Sequence, residues 1–185
     1  FAFALYNSST DELLIARDRF GEKPLYYYAS YAQRGRFDEL IFASEIKALL
    51  AAGVQKKING TMLLNYLATG YLQNPYKKTA TFYNDILSLP PGHLLVVKPG
   101  EGKIKMKKWY ALPGNILSQD TDAAEHLRSL FLTSVQRRLN SDVAVGTSLS
   151  GGLDSACVLA AIDALKKNTD DYRLYEELSD IALFE

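Results

Sequence analysis

VAVGTSLSGGLDSACVLAAIDAL, residues Val143–Leu165, decides how the rest of the chain is read. The apolar run Val143–Leu149, broken by small residues, predicts a buried strand, and Ser155–Leu165, rich in Ala and Leu, predicts a helix. Between them stands Ser150-Gly151-Gly152-Leu153-Asp154-Ser155. Adjacent glycines reach backbone conformations closed to other residues and put no side chain between the loop N–H groups and a ligand. The helix behind the loop adds unpaired N–H groups and the positive end of its dipole, while Ser150 and Ser155 offer hydroxyl donors. The loop is therefore composed for an anion. It is not a Walker loop, because no Lys precedes its Ser to reach terminal phosphates. Asp154 then needs a reason, since a carboxylate beside a polyphosphate repels it unless a divalent cation such as Mg²⁺ is shared between them. The plainer alternative is a glycine turn in which Asp154 only caps the helix.

The loop resembles the SGGxDS pyrophosphate loop of the ATP pyrophosphatase superfamily, which includes asparagine, GMP, NAD and argininosuccinate synthetases. That resemblance implies cleavage of ATP between its α and β phosphates and adenylation of a substrate. It names the superfamily and not the member.

Composition narrows the classes. At 185 residues and 48% hydrophobic content the chain can bury a core, as one domain or two small ones. Twenty-one basic residues balance twenty-one acidic ones, so no overall field draws it to nucleic acid or anionic lipid. No apolar run has the length of a membrane span, and one cysteine makes no internal disulfide; the expectation is a cytoplasmic protein. The first residues alternate as a strand without an initiator Met, and one strand and one helix after the loop do not complete an open α/β sheet. The chain reads as a fragment.

Taken in order, Phe1–Tyr6 and Leu13–Arg17 predict a hairpin across the polar cluster Asn7–Asp11. The charged segment Arg17–Lys23 reads as a turn, with Asp18 paired to Arg19 or Lys23 in a structural role, and Leu25–Tyr31 as an aromatic strand. Gln33–Asp38 reads as a turn, Leu40–Ala43 as a strand and Ser44 as the cap of a helix through Leu50. A second helix begins near Asn59 or Thr61, carries Met62, Leu63, Tyr66 and Leu67 on one face and stops at Gly70. Pro90-Pro91-Gly92 fixes a turn, His93 reads as structural, Leu94–Lys98 as a strand and Gly100–Lys108 as a charged hairpin closed by Trp109-Tyr110. The twelve tyrosines sit in apolar strands without a basic stripe and read as sheet residues rather than a nucleic-acid platform. Asp122–Glu125 resembles a capping box, followed by an apolar stripe of Leu127, Leu130, Phe131 and Val135 that packs on the nucleotide sheet, with Arg137 and Arg138 in a solvated last turn. Cys157 reads as a small core residue, and Tyr172–Phe184 as an amphipathic helix.

FAFALYN, ARDRFGEKPLYYY, FASEIKALL, the Leu89–His93 turn and the Trp109 ending resemble, in that order, the later part of the glutaminase domain of glutamine-hydrolysing asparagine synthetases. SLSGGLDSA follows at a family-like spacing. The resemblance covers about residues 1–165. It implies an α+β, Ntn-hydrolase-like glutaminase portion over 1–110, a linker over 111–120 and, over 121–185, the start of an α/β parallel-sheet ATP-pyrophosphatase domain. The implied activity is asparagine synthesis: glutamine-derived ammonia displaces AMP from adenylated aspartate, with ATP and Mg²⁺ required. The implied ATP site is Leu149, Ser150, Gly151, Gly152, Asp154 and Ser155, with Asp154 on the metal. Arg17, Asp18, Lys23 and Pro24 fall on pattern positions and read as scaffolding. In this family the cysteine nucleophile lies upstream of Phe1 and the aspartate site beyond Glu185, so no catalytic residue is assigned. The expected partners are the small molecules ATP, aspartate and glutamine, with neither nucleic acid nor membrane and with a homodimer left open. A related amidotransferase or β-lactam-forming synthetase, and a non-catalytic nucleotide-binding remnant, stand as alternatives.

Overall fold

The computed structural model describes residues 1–32, 37–112, 122–143, 145–167 and 182–184. The chain divides into two compact units, Phe1–Asn115 and Ile116–Glu185. The first contains β1 (Ala2–Asn7), β2 (Glu12–Arg17), β3 (Tyr26–Tyr31), β4 (Phe37–Ala43), α1 (Ile46–Ala51), α2 (Gly60–Thr69), β5 (Leu87–Ser88), β6 (His93–Lys98) and β7 (Lys103–Lys108). The second contains α3 (Ala123–Leu139), β8 (Gly146–Ser148), α4 (Leu153–Lys167) and β9 (Ala182–Phe184).

Two antiparallel sheets make the first unit, in the orders β1-β2-β6-β7 and β4-β3-β5. The antiparallel sheets with helices are those expected of a glutaminase-type domain. Strand alternation explains their layering, because successive side chains leave a strand on opposite faces. Ile15, Leu95 and Val97 point from the first sheet into a core shared with Leu25, Tyr27 and Leu89. Tyr26 and Tyr28, on the opposite face of β3, meet Leu49 of α1 together with Val54 and Ile86. The order of layers is thus helix, sheet, sheet.

Arg17 and Asp18 tie the turns around this core together. The Arg17 guanidinium donates to the carbonyls of Lys23 (2.8 Å), Gly21 (2.9 Å) and Leu89 (2.6 Å) and to Ser88 Oγ (3.1 Å). Asp18 is buried at 7% exposure and accepts from the backbone N–H groups of Phe20, Glu22 and Lys23, each at 3.0 Å. The expected pairing with Arg19 or Lys23 side chains is corrected: the carboxylate satisfies a turn's orphan N–H groups, while Arg19 lies over the Tyr110 ring at 5.3 Å. Burial pushes the Asp18 carboxyl up, but the three backbone N–H donors outweigh it and hold the group well below the usual carboxylate range. Burial lowers Arg17 from its ordinary value, against the pull of Tyr26 and Asp18. The prolyl turn docks on the same place, since Gly92 N–H donates to the Asp18 carbonyl at 2.8 Å and the Gly92 carbonyl accepts from Trp109 N–H at 2.9 Å. His93 Nδ1 lies 2.7 Å from the Pro91 carbonyl, a contact in keeping with the structural reading.

Several local expectations shift. Glu45, not Ser44, precedes α1, with no side-chain cap. β4 starts at Phe37, so Asp38 is strand rather than turn; residues 33–36 lie outside the described residues. Asn59 caps α2 by accepting from Met62 N–H, and Gly70 ends it at φ 74°, but of the expected apolar face Met62 is fully buried while Leu63, Tyr66 and Leu67 are exposed. Asp122 starts α3 without a side-chain cap bond, so the capping box does not form.

The second unit has its own small core of Val135, Leu139, Ala161 and Ile162. α3 packs on α4, with Val145 beside β8 against the same cluster, and Leu127 and Leu130 of its stripe are exposed. β8 pairs in parallel with β9. Residues 182–184 are strand, which corrects the helix expected to run through Phe184; 168–181 and 113–121, the latter including most of the expected linker 111–120, lie outside the described residues.

Candidate functional site

The loop after β8 is the candidate site. The expected buried strand Val143–Leu149 contracts to Gly146–Ser148, and Val143 and Leu149 are exposed. α4 starts two residues earlier than expected, at Leu153, which places Asp154 in its first turn. The intervening turn depends on Gly151, whose φ of 75° lies in the left-handed region where other residues are strained. Nothing lies within 4 Å of the position a Gly151 side chain would take, so the turn opens onto free space. Gly152 has ordinary geometry, and a Cβ there would only touch Ser150 Oγ at 3.5 Å.

The turn brings together the two hydroxyls that the sequence separates by four residues. Ser150 Oγ and Ser155 Oγ lie 3.1 Å apart, and Ser155 Oγ donates to the Gly152 carbonyl at 3.0 Å. Ala156 N–H reaches the same carbonyl at 3.1 Å, closing the first helical turn. The N–H groups of the first α4 residues precede that bond and have no intrahelical acceptor, which makes them anion donors. Ser150, Gly151, Gly152, Asp154 and Ser155 thus sit on one short exposed turn, with Leu149 at its entrance. The pairing of Ser150 with Ser155 was not read from the sequence, although serines flanking a double glycine were the signal for it.

Among the described residues no group of three His, Cys, Asp or Glu side chains is placed to hold a metal ion. A cation here would have one protein carboxylate, Asp154, and would need the oxygens of its anionic ligand to complete its shell. An exposed carboxylate beside an open turn with free N–H donors fits that arrangement. Cys157 is exposed on α4, which corrects its reading as a core residue. Clefts of about 340 Å³, lined by Tyr28, Glu39, Lys57 and Asp85 among others, and about 220 Å³, along Lys98–Lys107, lie in the first unit and exclude the loop. The glycine turn, with its donors and carboxylate, is the better candidate.

Residues 1–110 match the family model of the glutamine amidotransferase domain. The chain belongs to that family. Residues 126–183, which include the loop, match the model of asparagine synthase. The glutamine-hydrolysing asparagine synthetase 2 of Bacillus subtilis is 34% identical over 167 residues, 85% of this chain and 22% of that protein. The putative asparagine synthetase 2 of Methanocaldococcus jannaschii is 30% identical over 179 residues, 95% of this chain and 32% of that protein. A protein named amidase chry2 of Gibberella zeae is 31% identical over 171 residues, 90% of this chain and 24% of that protein. The resemblance to the asparagine synthase family therefore holds over most of the amidotransferase chain, which spans between 22% and 32% of the length of these relatives. No helix among the described residues is long and apolar enough to cross a membrane.

Proposed function

We propose that the chain forms part of a cytoplasmic, glutamine-dependent asparagine synthase, with residues 1–110 in the glutaminase domain, 111–120 as linker and 121–185 at the start of a parallel-sheet synthetase domain. The open turn at Gly151 beside Ser150, Asp154 and Ser155 supports this reading most directly. The loop N–H groups and the two hydroxyls bind the pyrophosphate portion of ATP, and Leu149 flanks the nucleotide. Asp154 is the residue that would hold Mg²⁺, and the ion would supply positive charge to offset the negative charge building on pyrophosphate. The protein donors contribute in the same sense, being aimed in advance at oxygens whose charge grows as the bond between the α and β phosphates breaks. Aspartate is the acceptor in this reading, and ammonia released from glutamine displaces AMP.

The test is Asp154→Asn in the full-length polypeptide that carries this sequence. Aspartate-dependent pyrophosphate release falls by about a hundredfold or more, while the circular dichroism spectrum is unchanged. Unaltered release would refute the metal role.

A second reading rests on the relative named an amidase, whose 31% identity lies between the 30% and 34% of the two synthetases. In it the same loop activates a carboxylate other than aspartate. Pyrophosphate release that requires glutamine and ATP but ignores aspartate would favour it. ATP binding with no pyrophosphate release on any acceptor would instead leave a nucleotide-binding remnant.

A further inference from the structure

The cap of α2 carries an inference independent of the proposed reaction. Asn59-Gly60 is the one place in the sequence where Gly follows Asn. An Asn side chain and the next backbone nitrogen can close a five-membered ring, and a glycine at the second position has no Cβ to hinder the closure. The Gly60 nitrogen loses its proton to hydroxide and attacks Asn59 Cγ. A C–N bond forms, the Cγ–Nδ2 bond breaks, and Nδ2 takes a proton from water and leaves as ammonia. Water then adds across either C–N bond of the succinimide, OH to carbon and H to nitrogen, giving Asp or an isoaspartate whose backbone runs through Cγ. Nothing is oxidised or reduced, and water is the only co-reactant.

The fold holds this reaction back. Asn59 Oδ1 accepts from Met62 N–H at 3.2 Å and Nδ2 donates to the Thr81 carbonyl at 3.1 Å, so both ends of the amide are tied. Asn59 N–H donates to the Phe82 carbonyl at 2.9 Å, and the Asn59 carbonyl accepts from Leu63 N–H at 3.0 Å. At ψ 99° the Gly60 nitrogen points away from Asn59 Cβ, whereas the ring needs the two on one side. The peptide plane must turn through more than a right angle, which breaks the cap and the Leu63 bond. The lock is local, because Met62 is 1% exposed while Leu63, Leu64 and Leu67 of the same helix are exposed, leaving one side chain to anchor the first turn. We propose that Asn59 is a deamidation site gated by opening of the first turn of α2. Of the two products, Asp keeps an acceptor for Met62 N–H. Isoaspartate adds a methylene to the backbone and carries that acceptor away, so its formation leaves the turn uncapped.

The experiment ages the full-length polypeptide beside a synthetic peptide of residues 55–66 at neutral pH, and peptide-resolved mass spectrometry separates Asn, Asp and isoaspartate at position 59. Asn59 converts in the folded chain at least about tenfold more slowly than in the peptide. It still converts ahead of Asn7 and Asn84, which are exposed but precede Ser8 and Asp85. Met62→Ala, which removes the anchor, restores several-fold of the rate. Gly60→Ala, whose Cβ would meet nothing within 4 Å, slows conversion in chain and peptide alike. Conversion at the rate of the peptide would show an ungated site, and conversion no faster than at Asn7 and Asn84 would show no site; either overturns the proposal, as does an unchanged rate in Met62→Ala. If Met62→Ala fails to fold, hydrogen exchange at Met62 N–H in the parent takes its place. Protection there within several-fold of the slowing at Asn59 supports the gate, and a larger mismatch in either direction overturns it.

Discussion

Arg17 acts on this fold through its shape more than through its charge. A planar guanidinium reaches three carbonyls and a hydroxyl at once, whereas an ammonium on a flexible stem reaches fewer. Arg17→Lys is therefore expected to destabilise the first unit by about 1–3 kcal/mol, because carbonyl groups of Gly21, Lys23 or Leu89 lose their donor. Urea denaturation followed by circular dichroism measures it, and a variant as stable as the parent would show that water replaces the fork. The sequence pointed to Arg17 as scaffolding through a family pattern. Its acceptors were not legible, because Ser88 and Leu89 are brought to it across 71 and 72 residues by the pairing of the two sheets.

At the scale of elements, two glycine turns with similar dihedrals have opposite needs. Gly92 has φ 65°, and a Cβ there would lie 2.8 Å from the Tyr110 carbonyl oxygen; Gly151 has φ 75° and open space. Gly92→Ala combines backbone strain with a clash against backbone and costs at least about 2 kcal/mol. Gly151→Ala costs about 1 kcal/mol, from strain alone. If the loop cradles pyrophosphate, Gly151→Ala also weakens ATP binding by more than its stability loss accounts for. Calorimetric titration of ATP against both variants, beside their melting curves, separates the effects. Equal ATP affinity in Gly151→Ala and parent would count against the cradle. The stripes on α2 and α3 teach a related lesson. Periodicity located Met62 and Val135 as buried positions, but Leu67 and Leu127 share those helices and are exposed. Spacing identifies a face and carries no information about what covers it.

At the scale of the whole molecule, acid stability turns on one buried carboxylate. Asp18 has a folded-state pKa below its unfolded value, so its contribution is fully present above about pH 3.9, the ordinary Asp value, and is lost as pH falls towards the lower folded-state value. Asp18→Asn should lower the stability of the first unit by about 1–3 kcal/mol at neutral pH, since an amide oxygen cannot serve three N–H donors as a carboxylate does. It should also flatten the loss of stability between about pH 4 and pH 2. Denaturation midpoints across that range test both points, and parallel curves for variant and parent would exclude Asp18 as the titrating group. By itself the sequence determined most strands, the limits of α2 and the glycine loop before α4, because these follow from alternation, caps and glycine placed within a few residues of one another. It also carried the family, through motifs whose order survives without coordinates. Only the tertiary structure decided that Asp18 serves backbone N–H groups rather than the Arg19 or Lys23 side chain, that α3 rests on α4 and that Cys157 is exposed. Each of those depends on which distant segments meet, and a local pattern of side chains does not encode its partner.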